Sequence, residues 1–354
     1  RPPRSTLDRS SAASDVYKRQ YIYREAKTAT FIAPNGSQLN IDTGKTQAYI
    51  IDRANYVAHF AHKAQAAGAS YKLGKRVLNI SILDDQVQVS TDSENYTCRS
   101  VILASGFGSP LVSNLGLGKV PDYVSSVQIS AKVADLENLH VYLGEQNAPG
   151  FFSWAVPTLP GEALIGLMTR KHAADHLQSF LESLQSQNIL RDVIGKPVKW
   201  GIPLRPLKKT YSDRVLVIGD AAGQVKPTTG GGIYYALMAS SIAAEILSKA
   251  LKNRDLSAKA LSPYQRRWKQ LLSTELESGY SARRLYEYLS DRQIDSIMSQ
   301  ARTKGFTEEI IGCEDISFDW HSKLIGRMIN YPGIHKVLRL INPIFAKLAQ
   351  QTDI

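Results

Sequence analysis

The stretch 215-VLVIGDAAGQVKPTTGGGIYYALMASSIAAEIL-247 decides the fold. An apolar run from Val215 closes on Gly219 and Asp220, a short loop follows, and Gly230, Gly231 and Gly232 open a long helical pattern. An uninterrupted apolar run of this kind reads as a strand buried on both faces of a parallel sheet. Ligands of open α/β sheets sit in the crevice at the carboxyl ends of such strands. A carboxylate is costly to bury there without a partner, so Asp220 is placed to accept hydrogen bonds from ligand hydroxyls. The glycines have no Cβ, which lets a flat ring or a phosphate lie against their backbone N–H groups. The helix that follows is apolar at Ile233, Ala236, Leu237, Ala244 and Leu247. Its N-terminus offers free N–H groups and a partial positive charge to an anion. A plainer reading makes the glycines a tight turn and Asp220 a helix cap. The full order of strand, Gly-Asp-Ala-Ala-Gly, Pro227, triple glycine and helix is more specific than either feature alone.

Outward from this stretch the chain reads as mixed α/β. TATFIAPNG predicts a strand entering a turn at Asn35 and Gly36. DRANYVAHFAHKAQAAGA predicts a helix, apolar at Tyr56, Val57, Phe60, Ala64 and Ala67 and stopped by Gly68. Alternation predicts short strands from Tyr71 to Ser105, the last of them, SVILAS, a buried parallel strand that ends in GFGS. Strands are expected from Tyr123 to Thr169, a helix in RKHAADHLQSFLESLQ, and helices from about Ser262 nearly to the end. No stretch has the eighteen or so uninterrupted apolar residues of a membrane span. The 354 residues are 43% hydrophobic and 21% charged, with 43 basic and 32 acidic side chains and a net charge of +11. That balance favours anionic partners, but no block of like charge reads as a nucleic-acid arm. The two cysteines, Cys98 and Cys313, form no CxxC pair, and a reducing compartment is the default. The first twenty residues carry neither a hydrophobic period nor the apolar core of a signal peptide, and they read as a non-native scar joined near Tyr21.

GDAAGQVKPTTGGGIYYAL resembles the second flavin motif of the geranylgeranyl reductase family, FAD-dependent oxidoreductases of the p-hydroxybenzoate hydroxylase-type fold. IIDRANYVAHFAHKAQAAGA is similar to the helix of that family whose arginine sits beside the flavin, here Arg53. PGFFSWAVPTLPGEALIGL resembles the motif that lines its isoprenoid pocket, matched by Phe152, Trp154, Pro157 and Gly166, with Val156 where phenylalanine is usual. The resemblance spans roughly residues 30 to 290. It implies FAD contacts from Arg53, Gly106, Gly219, Asp220, Ala221, Pro227, Gly230, Gly231, Gly232 and Ile233. It implies a Rossmann-like FAD-binding domain (21–120 and 201–261), an antiparallel-sheet substrate domain (121–200) and a helical C-terminal region (262–354). Two features depart from the family. No GxGxxG follows an N-terminal strand, so the first βαβ unit is expected to be missing and FAD to bind weakly or not at all. ASGFGS has Ser105 where the family has aspartate, which puts direct use of NAD(P)H in question.

The implied reaction saturates an isoprenoid C=C bond by hydride transfer from reduced flavin. The geranylgeranyl group of a lipid is the leading substrate, with a geranylgeranyl chlorophyll or a quinone tail as alternatives and NAD(P)H or a ferredoxin as electron donor. Phe151, Phe152, Trp154, Tyr234 and Tyr235 are candidates for an apolar channel, although aromatic residues in an alternating strand are more often core. No proton donor is identified, and no metal ligand set: His172 and His176 share a helix face but lack a third ligand. His59 and His62 read as surface or packing residues, and RPLKK at 205–209 as a solvated basic loop. The competing functional readings are a flavin monooxygenase of the same fold and a truncated chain without flavin or activity. The expected location is cytoplasmic. WHSKLIGRMINYPGIHKVLRLINPIFAKLAQ, with Lys323, Arg327, Lys336, Arg339 and Lys347, either packs on the flavin domain or lies at an anionic membrane surface.

Overall fold

The computed structural model describes residues 20–302, 305, 317–331 and 334–335. The predicted scar falls on residues 1–20 and, but for Gln20, lies outside that range, as do Cys313, Lys336, Arg339 and Lys347. A seven-stranded sheet dominates. Its strands are β2 (Thr28–Ile32), β3 (Gln38–Asp42), β9 (Tyr123–Val133), β10 (Leu139–Leu143), β11 (Phe152–Pro157), β12 (Glu162–Thr169) and β13 (Leu190–Pro203). They lie in the order β13-β9-β12-β11-β10-β2-β3, antiparallel except where β10 runs parallel to β2. The turn predicted at Asn35 and Gly36 joins β2 to β3. Gly36 takes φ +80°, and the Asn35 carboxamide accepts from Ser37 N at 2.9 Å. Helix α3 (Ala173–Ser186) packs Leu177, Phe180 and Leu184 on one face of the sheet, against Val127, Ile129, Ala131 and Ile165.

A second sheet has the order β14-β15-β8, from β14 (Tyr211–Ser212), β15 (Val215–Val217) and β8 (Val101–Leu103). β15 and β8 run parallel, with Val217 opposite Leu103, as the two apolar runs predict. β8 is an edge strand and its Ile102 is 39% exposed, so the burial expected of SVILAS is only partial. Two helices, α4 (Ile233–Lys252) and α5 (Ala258–Glu287), pack on this sheet through Tyr235, Ile242, Ala243 and Ile246 against Leu261, Tyr264, Trp268 and Leu272. The buried stripe of α4 differs from the expected one: Ile233, Leu237 and Ala244 face outward. Tyr235, Ala239, Ile242 and Ile246 carry the packing because α5 and β15 approach from their side. Helix α5 begins at Ala258, with the Ser257 hydroxyl accepting from Ala260 N at 3.3 Å, four residues before the predicted start. Pro263 lies inside it and cannot donate to Lys259 O; the Ser262 hydroxyl bonds that carbonyl instead, at 2.9 Å.

The remaining elements are smaller. β1 (Ile22–Ala26) pairs with β4 (Ala48–Ile51) and leads into α1 (Arg53–Ala66), capped by Asp52. No residue of α1 is fully buried. β5 (Val77–Ile82), β6 (Val87–Thr91) and β7 (Asn95–Cys98) form a meander, and α2 (Pro110–Asn114) follows β8. Beyond α5 lie α6 (Asp291–Ala301) and α7 (Ser322–Asn330). No described helix is long and apolar enough to cross a membrane.

Candidate functional site

The parallel pair brings two loops to one sheet edge. Ile218 N donates to Leu103 O at 2.9 Å, so the chain leaves β8 and β15 side by side. Gly219 takes φ +64°, a conformation only glycine adopts without strain. Its N–H donates to the Gln224 carboxamide at 2.8 Å; Gln224 donates to Tyr264 OH at 3.0 Å, and Tyr264 OH to Val217 O at 2.8 Å. This closed relay satisfies buried polar groups and sets the direction of the turn. Gly106, on the neighbouring loop, takes φ +73°.

Asp220 stands at this edge, half-buried. Among the described residues no hydrogen bond reaches its carboxylate. Burial pushes its carboxyl above the ordinary range, and the charge of Arg53, at the start of α1, works against that shift. Residues 167 positions apart in sequence are thus brought within electrostatic reach. Ala221 and Ala222, beside Asp220, are core.

The glycine loop lies directly over Asp220. A Cβ on Gly232 would sit 2.8 Å from Asp220 Oδ1, one on Gly231 2.8 Å from Lys226 Cε, and one on Gly230 2.9 Å from Ile202 Cδ1. Gly232 is the N-cap of α4 and no side chain caps that helix, so Asp220 does not serve as its cap. Thr229 Oγ1, in the same loop, is buried without a hydrogen-bond partner. Pro227 is seated against α5, where a Cβ on Gly279 would lie 3.3 Å from its ring.

The face of the large sheet opposite α3 carries the aromatic motif. Phe152, Trp154 and Val156 point to it from β11, while Ser153, Ala155 and Pro157 point to the buried side. Trp154 pairs across strands with Gly166. A Cβ there would meet Trp154 Cζ2 and Val127 O at 2.7 Å each, so only glycine lets the indole lie flat on the sheet. The Trp154 indole N–H donates to Gln128 Oε1 at 3.2 Å, and Phe152 stands edge-on to it at 6.0 Å. Met168, the next residue of β12 on this face, reaches the glycine loop: its Sδ is 3.1 Å from the Cβ position of Gly230. The half-open aromatic face therefore ends at the loop above Asp220. Trp200, 38% exposed, extends the face on β13 opposite Ser126. No motif singled out Met168 or Trp200; the period-two alternation of β12 and β13 is the signal that could have found them.

Of the predicted residues, Gly219, Asp220, Ala221, Pro227, Gly230, Gly231, Gly232 and Ile233 belong to one loop and the start of α4, with Gly106 on the adjacent loop and Arg53 within electrostatic reach of Asp220. Phe152, Trp154 and Gly166 share a face; Pro157 lies on the other. Two channel candidates are core instead. Phe151 is 1% exposed beneath Arg283, and Tyr235 is 2% exposed with its hydroxyl donating to Asp319 O at 3.0 Å. The histidine pair is solvated, with the His172 side chain 72% exposed, and no three metal-ligating residues cluster among the described residues.

An ion network ties the sheet to α5 beside the site. Arg170, at the end of β12, donates to Glu287 at 2.5 Å and to Asp122 at 2.5 Å, and Tyr280 OH donates to Asp122 at 2.9 Å. Burial works against the charge of Asp122, but the bonds from Arg170 and Tyr280 outweigh it and hold its carboxyl below the ordinary range. Arg283, one turn before Glu287, is buried with no hydrogen bond to its guanidinium, and burial lowers it to about 9.

Comparison with known proteins identifies the family. The pattern of the FAD dependent oxidoreductase family matches residues 44–247, more than half of the sequence. A digeranylgeranylglycerophospholipid reductase of Methanocaldococcus jannaschii is 31% identical over 296 residues, covering 78% of this chain and 75% of the relative. A second protein of that name, from Methanothermobacter thermautotrophicus, is 27% identical over 342 residues, covering 90% and 83%. The crystal structure of a geranylgeranyl bacteriochlorophyll reductase-like protein from Thermoplasma acidophilum superposes with a TM-score of 0.74 at 22% identity, over 94% of this chain and 84% of that one, which shows a common fold. The chain belongs to the FAD dependent oxidoreductase family and, within it, to the geranylgeranyl reductases.

Proposed function

We propose that this protein is an FAD-dependent reductase that saturates isoprenoid C=C bonds, acting on the geranylgeranyl groups of a glycerophospholipid. The relatives carry that substrate in their names. The observation that carries the reading is the aromatic face of Phe152, Trp154 and Trp200, which ends through Met168 on the glycine loop above Asp220.

The residues present fit FAD. No hydrogen bond among the described residues reaches the Asp220 carboxylate, Thr229 Oγ1 is orphaned, and Gly231 and Gly232 leave bare backbone where a Cβ would collide. Asp220 would accept from ribityl hydroxyls, with Arg53 beside it. Gly106, Gly219, Ala221, Pro227 and Ile233 would shape the walls, and the uncapped N-terminus of α4 would face the ring's electron-rich edge. Bound and reduced, the cofactor supplies a hydride to one alkene carbon, and a proton reaches the other. Trp154, held flat over Gly166 by its bond to Gln128, presents a wall for a polyprenyl chain. Phe152 and Met168 exclude water where that wall meets the loop. The Lys323 and Arg327 side chains of α7 would meet an anionic membrane surface from which such a lipid is drawn.

The test is to purify the protein, record its visible spectrum with FAD, reduce it anaerobically and add a digeranylgeranyl glycerophospholipid. The expected product gains two hydrogens per saturated bond by mass spectrometry. A bound flavin that consumes oxygen with NAD(P)H and leaves the lipid unchanged would overturn the reading. Co-sedimentation with anionic but not neutral vesicles, lost at high salt, is the result expected of the surface contact.

A further inference from the structure

The glycine loop closes around a buried cation. The Lys226 side chain is 4% exposed. Its N–H donates to Gly231 O at 3.1 Å and its carbonyl accepts from Gly230 N at 2.9 Å, so the loop folds back over it. The Lys226 stem runs directly behind Gly231: a Cβ there would lie 2.8 Å from Cε and 3.2 Å from Nζ. Nζ is held by Asp319 at 2.7 Å and by Phe318 O at 2.8 Å, and lies 4.0 Å from the centre of the Phe318 ring.

The segment that supplies these partners is itself pinned. Glu275, on α5, accepts from His321 N at 2.7 Å and Ser322 N at 2.9 Å; Thr228 Oγ1 meets His321 Nδ1 at 2.6 Å. Burial lowers His321 to about 4, so its imidazole is neutral at pH 7. Burial also lowers the Lys226 ammonium, but its bond to Asp319 works against that shift and keeps Lys226 the cation behind the loop. Asp319 is its counter-charge, and the Asp220 carboxylate lies against Gly232 of the same loop.

We infer that Lys226 is a positioning residue for the reduced cofactor: its ammonium, separated from the ring site by the bare backbone of Gly231 and Gly232, favours the negative charge that reduction creates. This rests on the reading that the glycine loop holds the flavin. Two electrons and one proton, drawn from a reduced nicotinamide or a reduced iron–sulfur protein, convert a neutral oxidised flavin into a reduced flavin with one net negative charge. A nearby cation shielded from solvent lowers the energy of that product more than that of the neutral reactant. A side chain at Gly231 would displace the ammonium, which gives that glycine a purpose beyond room for the ligand. Asp319 cancels part of the field, so the two residues act with opposite sign although they share one contact.

The midpoint potential of the flavin-loaded protein, read against a reference dye during anaerobic reduction, tests this. Lys226→Met is expected to move the two-electron equilibrium at least tenfold toward the oxidised form, a shift of about 30 mV. Lys226→Arg should restore most of it, and Asp319→Asn should move it the other way. A purely structural latch predicts otherwise, because Lys226→Met and Asp319→Asn break the same ion pair and would shift the potential alike or leave it unchanged. Either result overturns the inference. Should Lys226→Met fail to fold, the opposite shift of Asp319→Asn and the near-native value of Lys226→Arg still decide it. A protein that takes up no flavin overturns the proposed function as well; a flavin with one potential in all four proteins overturns this inference alone.

Discussion

Gly166 sits opposite Trp154 because an indole and a Cβ cannot share that space. Gly166→Ala should therefore cost about 1–3 kcal/mol through overpacking. The measurement is the urea midpoint, with a change in tryptophan emission as the indole tilts off the sheet. Asp220 poses the opposite case, a group whose native environment disfavours its charge. A folded pKa above the unfolded value adds stability below the unfolded pKa, and that contribution is lost as pH rises through the folded pKa. Asp220→Asn is thus expected to raise the urea midpoint of the flavin-free protein near pH 7, a gain that fades toward pH 3. Flavin affinity should fall by about 1.5–3 kcal/mol, the worth of a hydrogen bond to a charged group. A flavin titration of both proteins checks that. Residue types at the site were legible because glycine and an aspartate have few uses at the end of a buried strand. Their mutual placement was not, since Arg53 comes within electrostatic reach of Asp220 only after the chain has returned from the far sheet.

Among the elements, β12 and α5 are joined at one point beside the site. Arg170 holds Asp122 and Glu287 together there, with its own side chain 29% exposed. Removing it leaves the partly buried Asp122 without its cation, while Glu287 keeps Arg284 at 3.1 Å, so Arg170→Met should cost about 1–2 kcal/mol, less than a fully buried pair because water reaches the group. Asp122 titrates below its ordinary range, so its contribution is present above the unfolded pKa and is lost as pH falls through the folded one. The gap between wild type and variant should therefore narrow from pH 7 to pH 3 in urea unfolding. Helix α4 shows what an isolated pattern leaves open. Its sequence is apolar on more than one side, and Ile233 and Leu237 fit a helical stripe as well as Tyr235 and Ile246 do. The side that is buried depends on where α5 lies, a contact between residues some thirty positions apart.

For the whole molecule, ligand binding to the native state alone stabilises it by mass action. FAD at a hundred times its dissociation constant should add about 2.7 kcal/mol to unfolding, read as a higher urea midpoint. No effect at saturating FAD would mean that the folded chain has no site for it. The two sheets meet at the glycine loop, where Ile202 and Met168 from one touch Gly230 between β15 and α4 of the other. The sequence by itself determined the local order of strand, turn and helix, the bare glycine backbone at the mouth of α4 and the alternation that puts Phe152 and Trp154 on one face. Each is a matter of backbone freedom or side-chain period within a few residues. Only the tertiary structure decided that Phe151 and Tyr235 are core and that Lys226 lies buried behind Gly231. Burial depends on what packs from outside the segment, and the partners here, Arg283 over Phe151 and Asp319 beside Lys226, come from more than ninety residues away.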